Sequence, residues 1–400
     1  MNIMNQENSE KLWKLPLYKI YTDDEDVNLI TKIVKRGSNW AIGPEIDEFE
    51  NAICDYVGVD YSAVLNSGTS ALHASLLAFG LGDGDEILVP SFSFISTANS
   101  VLFVNATPSF VDIEEETLGL DPKLIEKSVT SSTKAIIPMD YGGMSCQISE
   151  IKETAENNNL LLIEDGAESL GSSVKGKKVG SLSDATIFSF CGNKVLTTGE
   201  GGAVVTNSRE IIEKIKSIRS HGRLDQKNYF NNPSSAQYLE LGYNWRMSSI
   251  TAALGISQLN KLGKIIKMRQ ENAEYLSSRL SKLPKVKVPT APAGYEHIYQ
   301  MYTIRLPDKT TRDSLHDFLT ERQIFSKVYF SPIHNTSFYQ QKFGIDKKLL
   351  PITEKVSQEV LTLPLYPNMT AEEKDLLVPV SYTHLRAHET DSYLVCRLLL

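Results

Sequence analysis

Seven short apolar runs alternate with helix-length segments between residues 47 and 206, and this rhythm limits the fold more than any other feature of the chain. The runs are Ser62–Leu65, Glu86–Pro90, Pro108–Ile113, Ala135–Pro138, Leu160–Ile163, Ala185–Phe190 and Ala203–Thr206. Between the earlier ones, Asp47–Tyr56, Ala71–Phe79, Ile95–Val104, Pro122–Val129 and Ser149–Glu156 read as helices. A run without polar alternation, such as Leu160 to Ile163, suits a strand covered on both faces. The rhythm predicts an α/β fold, a mostly parallel seven-stranded sheet flanked by helices. The pattern changes near residue 247. Met247–Leu283 is helical in composition, with Gly255 and Gly263 placed to bend or split it. Strand-like Tyr302–Leu306 and Phe325–Phe330 then flank helix-like Arg312–Arg322. The expected organisation is a large α/β unit over residues 1–250 and a smaller C-terminal α+β unit over 251–378.

Composition narrows the function classes. The 400 residues carry 41 Lys+Arg against 49 Asp+Glu, a net charge of −8. That balance argues against general nucleic-acid binding and against attachment to anionic membranes. Cys54, Cys146, Cys191 and Cys396 are scattered with no C-x-x-C pair, so neither a disulfide framework nor a metal site is expected, and a cytoplasmic location fits. Met1–Lys14 is polar and lacks the apolar stretch of a signal peptide, and no apolar run is long enough to span a bilayer.

Three segments carry chemistry. In Asn66-Ser67-Gly68-Thr69-Ser70 a strand enters a glycine turn and then a helix. Free amides at a helix start, with hydroxyls beside them, form a phosphate-sized anion site. Read alone, Ser67 equally serves as a helix cap. In Ile163-Glu164-Asp165-Gly166-Ala167-Glu168, Asp165 lies just past the end of an apolar strand. That edge is where open α/β sheets bind ligands. A carboxylate there pairs with a cationic ring nitrogen or a substrate hydroxyl, or is simply solvated. In Phe188-Ser189-Phe190-Cys191-Gly192-Asn193-Lys194, followed by Thr197-Thr198-Gly199-Glu200-Gly201-Gly202, a lysine sits in a turn crowded by glycines. Glycines let a flat ligand approach the backbone, and partial desolvation makes a lysine a usable nucleophile. A solvated turn lysine is the alternative on this segment alone.

The lysine segment resembles the lysine motif of the DegT/DnrJ/EryC1/StrS aminotransferases, which use pyridoxal 5′-phosphate on the fold type I scaffold. Gly43-Pro44 with Phe49-Glu50, Ser67 to His73, Pro90-Ser91-Phe92-Ser93-Phe94, Glu164 to Glu168 and Tyr243-Asn244-Trp245-Arg246-Met247 match the same family in order, across roughly residues 15–378. The resemblance implies that Lys194 holds the pyridoxal, Asp165 pairs with its ring nitrogen and Phe94 stacks on its face. It places Glu168 near the ring hydroxyl, where many relatives have Gln, and Gly68, Thr69 and Ser189 on the phosphate. It sends Asn244 to the phosphate of a neighbouring subunit, implying a homodimer with shared active sites. His334 and Arg246 take positions near the substrate, Arg246 alternatively at the dimer interface.

The implied reaction moves an amino group from L-glutamate to a nucleotide-linked keto-6-deoxy sugar in two half-reactions, for polysaccharide or other glycan synthesis. The freed Lys194 amine carries the proton between carbons. The Gly-Asn-Lys variant is similar to the perosamine-synthase-like branch, which aminates C4. Two other readings are a pyridoxal-dependent sugar dehydratase, in which histidine replaces the lysine, and a non-catalytic regulatory protein. Residues 379–400 depart from the family; they resemble translated sequencing-adapter sequence, so no role is expected for His384, His388 or Cys396.

Overall fold

The computed structural model describes residues 13–223, 237–283, 285–378, 381 and 385. Seven strands form the central sheet: β1 (Tyr61–Leu65), β2 (Glu86–Pro90), β3 (Thr107–Val111), β4 (Thr133–Ile136), β5 (Leu161–Asp165), β6 (Ala185–Ser189) and β7 (Gly202–Thr206). Their spatial order is β1-β7-β6-β5-β4-β2-β3. Neighbours from β3 through β6 pair in parallel. Strand β7 runs antiparallel to both β6 and β1. The reason is its connection. Parallel neighbours need a long crossover, usually a helix, whereas residues 190–201 return as a glycine-rich loop at the same edge of the sheet.

Alternate residues of each strand feed two cores. Leu65, Ile87, Ile137, Ile163, Ile187 and Val204 pack on one face against α3 (Gly68–Ala78), α4 (Ile95–Phe103) and α7 (Arg209–Ile218). On the other face, Val64, Phe188 and Val205 meet α2 (Pro44–Val57) and α8 (Ser249–Asn260). Leu88, Ile136 and Leu162 continue that face against α5 (Pro122–Ser128) and α6 (Ile148–Asn157).

The long helical stretch splits at Lys261 into α8 and α9 (Leu262–Leu280). Gly255 does not break α8; it makes room for Phe49, whose ring would lie 2.4 Å from an added Cβ. Apolar contacts change partner within α9. Leu262 and Ile266 belong to the sheet core, whereas Ala273, Leu276 and Leu280 belong to the smaller unit. That unit holds α10 (Lys309–Glu321) and the antiparallel pair β8 (Tyr302–Arg305) and β9 (Val360–Leu363). Phe325–Phe330, expected as a strand, makes a single bridge, Lys327 to Thr362.

Two further differences concern the chain's ends. The polar start contains a helix, α1 (Asp24–Arg36), opened by a capping box between Asp23 and Asp26. Before it, Leu15 is buried in the smaller unit and bridges Ile324, so this segment does not belong to the sheet unit. Leu377 and Leu385 are buried in the same small core. His384, His388, Cys396 and most of the adapter-like stretch lie outside the described residues. No described helix is long and apolar enough to cross a membrane.

Candidate active site

Asp165 and the loop carrying Lys194 leave the sheet at the carboxyl ends of the adjacent strands β5 and β6. A cavity of about 1070 Å³ opens there. Its wall includes Gly68, Thr69, Phe94, Asp165, Glu168, Ser189 and Lys194. The volume matches a large small-molecule pocket.

Asp165 is 3% exposed. Its Oδ2 accepts from Thr97 Oγ1 at 2.7 Å and its Oδ1 from the Ala167 amide at 3.2 Å. Burial raises its pKa, while Thr97, Ala167 and the charge of Lys194 oppose the rise. Thr97 Oγ1 also lies 2.6 Å from Ser93 Oγ, so a hydroxyl relay fixes the carboxylate. Lys194 Nζ lies 3.2 Å from Glu168 Oε1, and Glu168 Oε2 accepts from the Gly142 amide at 2.9 Å.

At the cavity's other end, Ser67 caps α3 by accepting from the Ser70 amide at 3.1 Å. The Gly68 and Thr69 amides precede the first intrahelical bond, Ala71 to Ser67. A Cβ on Gly68 would come 3.0 Å from Ser189 Cβ, and one on Gly202 would come 2.6 Å from the Gly68 nitrogen. Close approach therefore requires glycine at 202 and leaves little room for a side chain at 68. Phe94, 57% exposed, stands over the cavity at the start of α4.

Three expected residues lie elsewhere. His334 is fully buried, with Nδ1 2.6 Å from Ser91 Oγ and Nε2 2.9 Å from Glu354 Oε1. Burial lowers its pKa, although Glu354 opposes this. It is not among the residues lining the cavity. Asn244 is exposed and bridges Ser220. Arg246 donates to Ser220 Oγ at 3.3 Å and lines a separate small recess with Arg219 and Met247.

The family model of the DegT/DnrJ/EryC1/StrS aminotransferases matches residues 21–379. The chain belongs to this family. It is a pyridoxal-phosphate-dependent aminotransferase. GDP-perosamine synthase of Caulobacter vibrioides is 37% identical over 341 residues, covering 84% of this chain and 89% of that protein. Helicobacter pylori PseC, an aminotransferase involved in pseudoaminic acid biosynthesis, superposes with a TM-score of 0.87 at 30% identity, covering 93% of this chain and 99% of that one. NtdA from Bacillus subtilis, solved with bound cofactor PMP, superposes at 0.82 with 28% identity, covering 91% and 83%.

The donor set fits the family's cofactor. A buried carboxylate held by neutral donors suits a cationic ring nitrogen. The amide-rich α3 turn beside Ser189 suits a phosphate. A lysine with its amine inside the cavity suits an aldehyde.

Sequence reading missed Thr97 and Gln300. Thr97 had a signal, because it lies four residues after Ser93, in the helix that directly follows the matched segment Pro90–Phe94. Gln300 had none. Its Oε1 accepts from the Val195 amide and its Nε2 donates to the Asn193 carbonyl, each at 2.8 Å.

Proposed function

We propose that this enzyme transfers the amino group of L-glutamate to a nucleotide-linked 4-keto-6-deoxy sugar, in the cytoplasm, for polysaccharide synthesis. The observation that carries the chemistry is the meeting of Lys194 Nζ, the Asp165 carboxylate and the α3 turn in one cavity. The name of the Caulobacter vibrioides relative supports a nucleotide sugar, and PseC supports sugar amination.

When bound, pyridoxal phosphate supplies an electron sink for the bond cleaved at the amino donor's Cα. Lys194 would anchor it through Nζ. Gly68, Thr69 and Ser189 would hold its phosphate, and Phe94 would cover its face. Asp165, oriented by Thr97 and the Ala167 amide, would pair with its ring nitrogen. The Lys194 amine, when free, would be the neutral base that holds and moves a proton at the donor's Cα. Glu168, beside Nζ, steadies the amine and its proton.

Asn244, exposed and outside its own cavity, would complete the phosphate site of a second copy in a homodimer. Asn244→Ala then weakens cofactor binding, and cofactor removal weakens the dimer by mass action. Sedimentation at graded concentrations with and without cofactor checks this; unchanged assembly in both cases contradicts it.

Absorbance spectra during glutamate addition test the first half-reaction. The expected result is a shift of the bound-cofactor band with release of 2-oxoglutarate. Mass spectrometry across GDP-, UDP- and dTDP-linked keto sugars tests the second. Amination of none of them, with amination of a free keto acid instead, would overturn the sugar assignment.

A further inference from the structure

The Lys194 loop is rich in glycine, with Gly192, Gly199 and Gly201 along it. Such a backbone has little stiffness of its own. Bonds within the loop, such as Lys194 N–H to the Cys191 carbonyl and Thr198 N–H to the Phe190 carbonyl, shape its ends, and a further hold comes from a segment more than a hundred positions away, residues 298–301, which leads into β8.

The contacts of Gln300 are specific. The Asn193 carbonyl and the Val195 amide belong to the two peptide groups flanking the Lys194 Cα. Gln300 grips both, one with its amide nitrogen and one with its oxygen. Its side chain is 4% exposed, so water does not substitute. The far end of the lysine is tied to the same segment. Nζ meets Glu168, Glu168 accepts from the Gly142 amide, and the Gly142 carbonyl accepts from the Met301 amide at 3.0 Å. Gly143 has φ +103°, and a Cβ there would lie 2.6 Å from the Gln300 nitrogen.

Arg269 on α9 holds this segment in place. Its Nε donates to the Tyr299 carbonyl and its Nη2 to the Gln300 carbonyl, both at 2.8 Å. Tyr299 sits at φ +51°, a left-handed conformation that persists only where surroundings enforce it.

We propose that Gln300, anchored by Arg269, is a positioning residue that fixes both peptide groups of Lys194 and so sets where its amine stands in the cavity. This rests on the reading of Lys194 given above. The helix that supplies Arg269 crosses from the sheet core into the smaller unit, so the position of the lysine is coupled to the packing of the two units.

Holoenzyme carrying Gln300→Met, which keeps length and removes both polar ends, tests the proposal. The expected loss in kcat is roughly 10- to 100-fold, with KM for glutamate changed less than about threefold, because small misplacements of a reacting group cost that much. The pH midpoint of the bound-cofactor absorbance should move by at least about half a unit, since the setting of the Lys194 amine changes. Gln300→Glu keeps the acceptor for Val195 and should recover part of both. If Gln300→Met does not fold, Gln300→Glu and Arg269→Lys decide the matter through the same midpoint and kcat. Variants with wild-type kcat and midpoint overturn the proposal. So does a lost kcat with an unmoved midpoint and no recovery in Gln300→Glu, which marks a merely structural role. Borohydride mapping of the wild type separates the two readings. An adduct on another lysine ends the Lys194 reading itself, whereas an adduct on Lys194 with indifferent variants ends only the role of Gln300.

Discussion

Asp165 and Lys194 face the same cavity from neighbouring strands, yet they are held in opposite ways. Asp165 is fixed by its own sheet unit: the strand end, the Ala167 amide two residues on, and Thr97 at the start of α4. Lys194 is held partly from outside that unit: Gln300 grips the peptide groups on both sides of it, while Glu168 of the sheet unit meets its amine. The carboxylate sits in a rigid floor, while the lysine sits in a wall whose form depends on the smaller unit. The difference matches the tasks proposed for them. A group that holds one charge benefits from a fixed setting, whereas a group that attaches, detaches and moves a proton needs room under control.

Lys194→Ala should break the comparison hardest. Removing the amine from the wall leaves the floor intact, so pyridoxal phosphate still binds without covalent attachment. Steady-state transamination should fall at least about 10²- to 10⁴-fold, the range of a lost acid–base group. Near-normal turnover would show that the wall does not carry the proton.

Asp165→Asn attacks the floor instead. Covalent attachment at Lys194 should survive, while kcat falls roughly 10²- to 10³-fold, as for loss of one preorganised electrostatic partner. If attachment is lost as well, floor and wall are not separable.

Thr97→Val sharpens the account of the floor. It deletes the hydroxyl that opposes the upward push of burial on Asp165. A hydrogen bond to a charged group contributes about 1.5–3 kcal/mol, so kcat should fall about tenfold or somewhat more. The acid limb of the pH–rate profile should move to higher pH, because the carboxylate then takes up a proton more readily. An unmoved limb would remove Thr97 from the floor.

The smallest effect is expected at a cross-unit contact remote from the lysine. Glu115 meets Arg305 at 2.7 Å and Lys355 at 2.8 Å, which pull its pKa down to about 2. A lowered carboxylate pKa gives stability that is present above the unfolded value, near 4.3, and lost as pH falls through about 2. Glu115→Gln should therefore lower the unfolding free energy at pH 7, by less than about 1 kcal/mol for so exposed a group, and the gap from wild type should close on acidification. The kcat should not change. A gap independent of pH, or a catalytic defect, would mean that any cross-unit contact matters as much as Gln300.

The same contrast explains what the sequence made legible. All seven sheet strands, Asp165, Lys194 and the Gly68 turn announce themselves through neighbours within a few positions, by apolar runs and glycine spacing. What escaped depends on contacts between distant segments. Gly255 looks like a helix breaker until Phe49 is seen against it. Leu15 reads as part of a polar start until Ile324 receives it. The resemblance sets His334 near the substrate, and nothing beside it in the sequence points to Ser91 and Glu354, the side chains its ring meets. Gln300 is one polar residue in an apolar stretch, and nothing beside it points to Val195.

Borohydride reduction of the wild-type holoenzyme, followed by peptide mapping, tests the central claim most directly. The account predicts a single reduced cofactor adduct on the peptide containing Lys194, and its loss when L-glutamate is added first without a sugar acceptor. An adduct on a different lysine, or one that glutamate leaves untouched, would contradict it.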